Sequence, residues 1–347
     1  MRFRALLFSA LLTAGASVGY GWGFDGHQTV TKLAFASLPA DFPAFARSAE
    51  AMERVIYLAN VPDRWRNVDP YLKQSGGSWS DHFLDIEHLG QVGLDPKKVP
   101  SLRYNFILLY GAGRVAYAEK FPPIDPKKNV DHTEEWPGFA PWAMAEQFAK
   151  LRSAFGYLKA FQEVGGTPEE IKQAQADVIF QMGVLSHYIG DCAQPLHTTH
   201  HHNGWIGENP HGYTVWNRFH SWIDSGLIDK AGVKAETLLP RAAQVQPLVL
   251  APQADGRDPF FIAAMDYVLE QHRQVEPLYR LEKAGKLGNG DNAVAPEGVA
   301  LIEGQLLKGG GMLARAWLTA WQSAPLDSYL RTVLAKRQEA ANAPARK

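Results

Sequence analysis

A single cysteine, Cys192, stands among 347 residues. No intrachain disulfide can staple the chain, so its stability must come from packing, a bound metal or both. Excess charge is missing too: 35 Lys and Arg meet 36 Asp and Glu, for a formal charge of −1. A surface that grips duplex DNA through many phosphates is normally basic, and this one is not. No apolar run is long enough to cross a bilayer comfortably. Alternating strand patterns with hairpin turns are scarce, and there is neither an internal repeat nor a clean linker. What is present is 46% hydrophobic residues, enough for one sizeable core.

The N-terminus follows the plan of a secretory signal peptide: Arg2 and Arg4, then the apolar run ALLFSALLTAGASV, then small residues in VGYG. Residues 1–21 are expected to be removed after Gly21, leaving Trp22 as the new terminus of a secreted or periplasmic protein. Without the two arginines the charge falls from −1 to −3. Residues 22–326 are expected to form one domain, followed by a polar, loosely packed tail over 327–347.

Helical signals dominate that domain. DGHQTVTKLAFASL offers Asp25 as an N-cap and ends before Pro39, and SAEAMERVIYLANVPDRW is expected to stop near Pro62. PWAMAEQFAKLRSAFGYLKAF places Pro141 in a first turn and runs to the Gly165-Gly166 break. The next helix has Thr167 as N-cap with Glu170 as capping-box partner, carries Ile171, Ala174, Val178, Met182 and Leu185 on its apolar face, and ends at Pro195. Further helices are expected around TVWNRFHSWIDSGLI and PEGVALIEGQLLKGGGMLARAWLTAW, while 89–140 reads as a long irregular excursion. The fold class is therefore mainly α.

Histidine and aspartate recur at the ends of these helices. Trp22 and His27 stand at the expected mature terminus, Asp63 follows Pro62, and His82 opens HFLD. HYIGDCAQPLH holds His187, Asp191 and His197, and HSWID holds His220 and Asp224. A histidine and an aspartate four residues apart share one helix face. Such a pair is often an ordinary solvated neighbour, but two of them, both near other histidines, also form a usual ligand set for zinc.

The ordered set WGFDGH, PDRWR, HFLD, HYIGDCAQPLH and HSWID resembles the trinuclear zinc phosphoesterases. That superfamily holds the fungal and plant single-strand-specific nucleases and the bacterial zinc-dependent phospholipases C. The resemblance runs from Trp22 to about Asp224, and it implies the multi-helix phospholipase C and single-strand nuclease-like fold with long loops. It also implies three zinc ions. One would be held by Asp63, His82, His187 and Asp191. A second would take the α-amino group and carbonyl of Trp22, with His27 and a shared Asp191. The third would use His197, His220 and Asp224. The two ions sharing Asp191 would acidify a common water to a pKa of about 7, yielding the attacking hydroxide. Asp63 would orient that water or take its proton, and Arg66 would support the transition state, with Arg64 as its neighbouring competitor.

The same resemblance makes Phe83 a stacking partner for a base and Asp85 a contact to its edge. The expected activity is a zinc-dependent phosphodiesterase cleaving single-stranded nucleic acid, with 3′-nucleotidase activity on nucleotides. A phospholipase C acting on phospholipid and a non-catalytic zinc-stabilised binding protein are the alternatives, and no stable protein partner is implied. HHHNGWIGENPHGYT lacks the Gly-Gly-Asn signature of many nucleases, the fungal disulfides are absent, and the stretch between His82 and His187 is longer than usual. His200, His201, His202 and His211 are left as phosphate contacts, supporting residues or plain loop residues. His88, His132 and His272 are read as ordinary, and WPGFAPW as a packed helix entry.

Overall fold

The structure, a computed structural model, describes residues 22–74, 77–127, 129–130 and 132–343. The expected leader and its cleavage point lie outside the described residues. Sixteen helices follow in chain order among those described. The first seven are α1 (Phe24–Ser37), α2 (Ala49–Leu58), α3 (Val61–Val68), α4 (Pro70–Gln74), α5 (Gly77–Ser80), α6 (Ile86–Gln91) and α7 (Arg103–Ala116). Then come α8 (Ala140–Val164), α9 (Pro168–Ala193), α10 (Phe219–Ser221), α11 (Leu227–Ala231) and α12 (Ala235–Leu238). The last four are α13 (Pro259–His272), α14 (Val275–Lys283), α15 (Pro296–Gln322) and α16 (Ser328–Asn342). Extended pairing among the described residues is confined to two isolated bridges, Leu84 with Gly138 and Leu287 with Val294. The molecule is thus mainly α and built round one core, as its sequence predicts.

α9 is the central rod. It packs against α8, α15, α2 and α1, and α1 lies along α15. Its start follows the expected chemistry, with Thr167 Oγ1 accepting from Glu170 N and the Glu170 carboxylate accepting from Thr167 N. Its end comes at Ala193, two residues before Pro195, because proline lacks the amide a further turn needs. Two glycines let the long helices approach. A methyl at Gly309 would sit 2.9 Å from Ala193 of α9 and 3.2 Å from Val30 of α1, and one at Gly310 would sit 2.5 Å from Leu33.

Several expectations need correction. Gly23, not Asp25, caps α1, and Asp25 sits in its first turn near the positive end of the dipole. Pro62 does not end a helix. α2 stops at Leu58, and Pro62 falls in the first turn of α3, where its missing amide costs nothing. The excursion at 89–140 contains α7, and the helix expected from Thr214 begins only at Phe219, passing through a π turn at Trp222–Gly226. α13 and α14 were not foreseen. Residues Ser328–Asn342 of the expected tail are helical as well. Asp327 caps α16, Leu334 is buried, Arg331 pairs with Glu163 of α8, and Arg337 holds Glu170 at 2.8 Å.

Candidate metal centre

Three buried clusters gather most of the expected ligands: His27, His187 and Asp191; Asp63, His82 and His187; and His197, His220 and Asp224. α1 supplies His27, α3 supplies Asp63, α9 supplies His187 and Asp191, and α10 leads into the π turn carrying Asp224. His187 and Asp191 fall one turn apart on α9, with His187 Nε2 3.1 Å from Asp191 Oδ2. Asp191 Oδ2 also lies 2.9 Å from His82 Nδ1, while Oδ1 faces His27 Nε2 at 3.2 Å. One carboxylate therefore divides its oxygens between two sets of imidazoles. Asp63 Oδ1 stands 3.9 Å from both His82 Nδ1 and His187 Nε2.

The chain is shaped for this approach. A methyl at position 190 would come within 2.8 Å of His27 Nδ1, so only glycine lets α9 pass under that ring. HFLD runs as a short extended segment, with Leu84 N donating to His197 O at 2.9 Å and Asp85 N to Pro137 O at 2.6 Å. This ties His82 to the segment carrying His197. Trp22 is fully buried, and the next amide, Gly23 N, donates to Asp224 O at 3.0 Å. The start of the described chain is thereby pinned to the third cluster's backbone.

Hydrogen bonds behind the rings fix which nitrogen faces inward. His187 Nδ1 is 2.7 Å from Ala59 O and His197 Nδ1 is 2.7 Å from His82 O, so each donates outward to a carbonyl. In the neutral ring the Nε2 lone pair then points into the cluster. There His187 Nε2 meets His82 Nδ1 at 2.8 Å, and His197 Nε2 meets His220 Nε2 at 3.0 Å. Inward lone pairs this close repel unless a proton or a cation lies between them. Asp191 Oδ1, Asp224 Oδ2, His82 Nε2 and both His27 nitrogens are buried without a well-formed hydrogen bond among the described residues, and the nearest approaches are Asp191 to His27 and Asp224 to His220, each at 3.2 Å. Contacts of about 3 Å lie near the ~3.3 Å edge of a tetrahedron with metal bonds of about 2.0 Å. The residues fit zinc.

Most of the electrostatics point the same way. Burial lowers His27, His197 and His220 below the usual imidazole range, and burial followed by Arg66 takes His82 down to about 3. Burial pushes the Asp224 carboxyl well up. Burial would also raise Asp191, but His187 and His197 outweigh it and hold the carboxylate ionised. Neutral His27, His82, His197 and His220 and an ionised Asp191 are the protonation states a divalent cation needs, whereas His187 and Asp224 are shifted up and a cation would have to displace their protons. Gln194 steadies the third cluster, donating to Asp224 Oδ1 at 2.7 Å while accepting from Leu196 N.

Arg66 lies against the centre, 2.5 Å from Asp63 Oδ1 with its guanidinium 4.5 Å over the Trp79 ring. Arg64 points elsewhere, donating to Tyr57 OH at 2.7 Å on the exposed side. Phe83 is half-buried. Asp85 is buried 3.8 Å from His88, and burial followed by Glu87 and Glu134 raises its carboxyl well above the usual range.

A further cluster escaped the sequence reading: Glu87, His200 and His201. His272 Nε2 stands 3.8 Å from Glu87 Oε1, and the His88 and His200 rings meet at 5.2 Å. His202 packs edge-on against His220, whereas His132 lies at the surface beside Glu135. The run of histidines was a visible signal, but nothing in the sequence brings Glu87 to it from more than a hundred residues away.

No family model matches the chain. Over 84 residues it is 32% identical to Nuclease S1 of Aspergillus oryzae, a stretch that is 24% of this chain and 29% of that protein. The chain thus matches less than a third of that curated relative. Among solved structures, the alpha-toxin of Clostridium perfringens aligns with 96% of this chain and 68% of its own, at 14% identity and a TM-score of 0.35. The resemblance to the trinuclear zinc phosphoesterases agrees with the Nuclease S1 match over those 84 residues.

Proposed function

We propose that this chain, which resembles the trinuclear zinc phosphoesterases, is a hydrolase of phosphodiesters that holds three zinc ions and prefers single-stranded nucleic acid. The observation that carries this reading is the division of Asp191, with Oδ2 toward His82 and His187 and Oδ1 toward His27. A carboxylate so placed would hold two neighbouring cations and reduce their mutual repulsion. Asp63 would complete the first ion's set and Trp22 the second's, and His197, His220 and Asp224 would hold the third. When bound, zinc supplies Lewis acidity toward phosphate and acidity to a water.

The chain's own residues supply the rest. Asp63 is the group placed to orient that water or receive its proton. Arg66 is parked on Asp63, from which its planar fork can turn to a phosphate oxygen and return. Phe83 offers a ring for base stacking, which favours unpaired strands without reading sequence. Asp85, whose carboxyl burial raises, would contact a base edge.

Trp22 adds a requirement. An amide nitrogen is a poor zinc ligand, whereas a free α-amine, of ordinary pKa about 7.7–8.0, can deprotonate and bind. We expect removal of residues 1–21 during export to create that amine, in a secreted or periplasmic protein. A chain with one residue added before Trp22 should hold fewer zinc ions, and unchanged metal content would end this part of the reading.

The main test is a substrate panel on zinc-loaded protein beginning at Trp22. Single-stranded DNA, RNA, 3′-nucleotides and phosphatidylcholine are assayed side by side, with Asp63→Asn as control. Cleavage of oligonucleotides, lost in the control, is the expected result. Phosphocholine release with oligonucleotides left intact would replace it with a phospholipase C, a reading favoured by the loop after His197 lacking Gly-Gly-Asn. Three bound ions with no hydrolysis would make the protein a zinc-stabilised binder.

A further inference from the structure

α7 presents an unusual surface. Its buried side consists of Phe106 and Tyr110, with Phe106 stacked on Trp142 at 4.0 Å. Its exposed positions are Tyr104, Asn105, Leu108, Leu109, Ala112, Val115 and Ala116, none of them charged. Tyr104, Leu108 and Val115 are 75%, 72% and 81% exposed, and Leu102 and Tyr117 extend the patch at the two ends. A helix on a water-facing surface ordinarily turns charge outward, so an outer face of this kind marks a contact surface.

Charge and position identify what it contacts. Residues 97–130 hold seven Lys or Arg against two acidic residues, net +5, which leaves −6 for the rest of a chain whose total is −1. Exposed Lys97 and Lys98 precede the helix, and exposed Lys120 and Lys127 follow it. Tyrosines at both ends, leucines between and lysines around them form the pattern of a helix lying in a lipid interface. The helix also borders the candidate metal centre. Arg103 in its first turn bonds Asp81, the neighbour of His82, and beyond its far end Phe121 meets the His88 ring at 6.1 Å.

We propose that α7 docks this protein on the surface of an anionic phospholipid bilayer, with its uncharged face against the acyl boundary and its lysines among the headgroups. Docking sets the HFLD loop beside the membrane. It does not depend on which phosphodiester the centre cleaves.

The test is flotation of the full-length processed protein with vesicles of phosphatidylglycerol and phosphatidylcholine, compared with the double variant Leu108→Glu, Val115→Glu. Both positions are exposed, so the variant should keep its helical circular dichroism and its hydrolysis of a soluble phosphodiester, bis(p-nitrophenyl) phosphate. Wild type should float and the variant should bind at least tenfold more weakly, with wild-type binding falling as phosphatidylglycerol is withdrawn. Failure of wild type to float, or equal binding by the variant, overturns the proposal. So does sedimentation showing a wild-type dimer that the variant dissolves, since the face would then belong to a second copy. So does a loss of affinity for single-stranded oligonucleotide in place of a loss of flotation. Retained hydrolysis without flotation removes the docking and leaves the hydrolase reading standing.

Discussion

Two histidine-rich regions lie either side of Thr198 and Thr199. One contains His187 and His197; the other contains His200 and His201 with Glu87. Both gather imidazoles and carboxylate at ligand distances, and the His200 and His201 Nε2 atoms are 3.1 Å apart, much like His197 and His220 at 3.0 Å. The difference lies behind the rings. His187 and His197 donate Nδ1–H to a carbonyl, whereas His201 Nδ1 accepts from Ile206 N at 3.0 Å. A neutral His201 must then carry its proton on Nε2 and pass it toward His200, so its inward atom is a donor with no lone pair for a metal. Glu87 is likewise engaged, receiving Thr199 Oγ1 at 2.5 Å and His200 N at 3.2 Å. The same residue types leave inward lone pairs suited to a cation in one place and a closed hydrogen-bond relay in the other, and the neighbouring backbone group decides which.

Removing the shared carboxylate should have the largest effect. Asp191→Ala should cost on the order of 10⁴-fold in hydrolysis and at least one bound ion, because groups that act as a unit fail together. Elemental analysis beside kinetics checks this, and full metal content would contradict the bridging role. Arg66→Lys should cost about 10²-fold in kcat with little change in KM, since a point charge cannot replace a planar fork on phosphate. Equal kinetics would make Arg66 only a partner for Asp63.

Acidity probes the centre at an intermediate scale. His82 titrates near 3 in the folded chain against an ordinary 6.5, because burial and then Arg66 disfavour its charge. Between those values the unfolded state binds more protons, so this contribution is present above pH 6.5 and lost as pH falls toward 3. His27, His197 and His220 shift the same way, while His187 and Asp224 shift upward and offset part of it. Metal-stripped protein should therefore lose about 5 °C in Tm between pH 7.5 and 5, read by calorimetry. A Tm rising over that interval would refute the assignment of neutral inward imidazoles.

The smallest effect is the sharpest for the comparison. His201→Ala should leave metal content and kcat unchanged and lower Tm by about 2–4 °C, as expected when a ring stacked on Trp205 at 3.9 Å is removed. Loss of an ion from this variant would make the second region a metal site after all.

The sequence disclosed α9 almost to the residue, because Thr167, Glu170 and Pro195 signal its ends with local chemistry. The two His–Asp pairs were legible for the same reason, since His187 with Asp191, and His220 with Asp224, are separated by one helical step that any helix converts into a pair, while the wider ligand set came from the resemblance alone. α7 was not legible. Its outward face carries the leucines that a reader assigns to the interior, so no charged stripe marks its period. α16 was hidden by polarity, since only Leu334 is buried and the rest is held by ion pairs to α8 and the start of α9. The roles of His197 and His201 could not be separated from sequence, as a ring's protonated nitrogen depends on a backbone atom folded against it from elsewhere.

Gly309 has a reach out of proportion to its size. A side chain at this position would meet Val30 on the helix bearing His27 and Ala193 on the helix bearing Asp191. A single methyl there would act as a wedge between the two, lengthening the gap that the shared carboxylate spans. Gly309→Ala should therefore disturb the contact between His27 and Asp191 from the rear of the bundle.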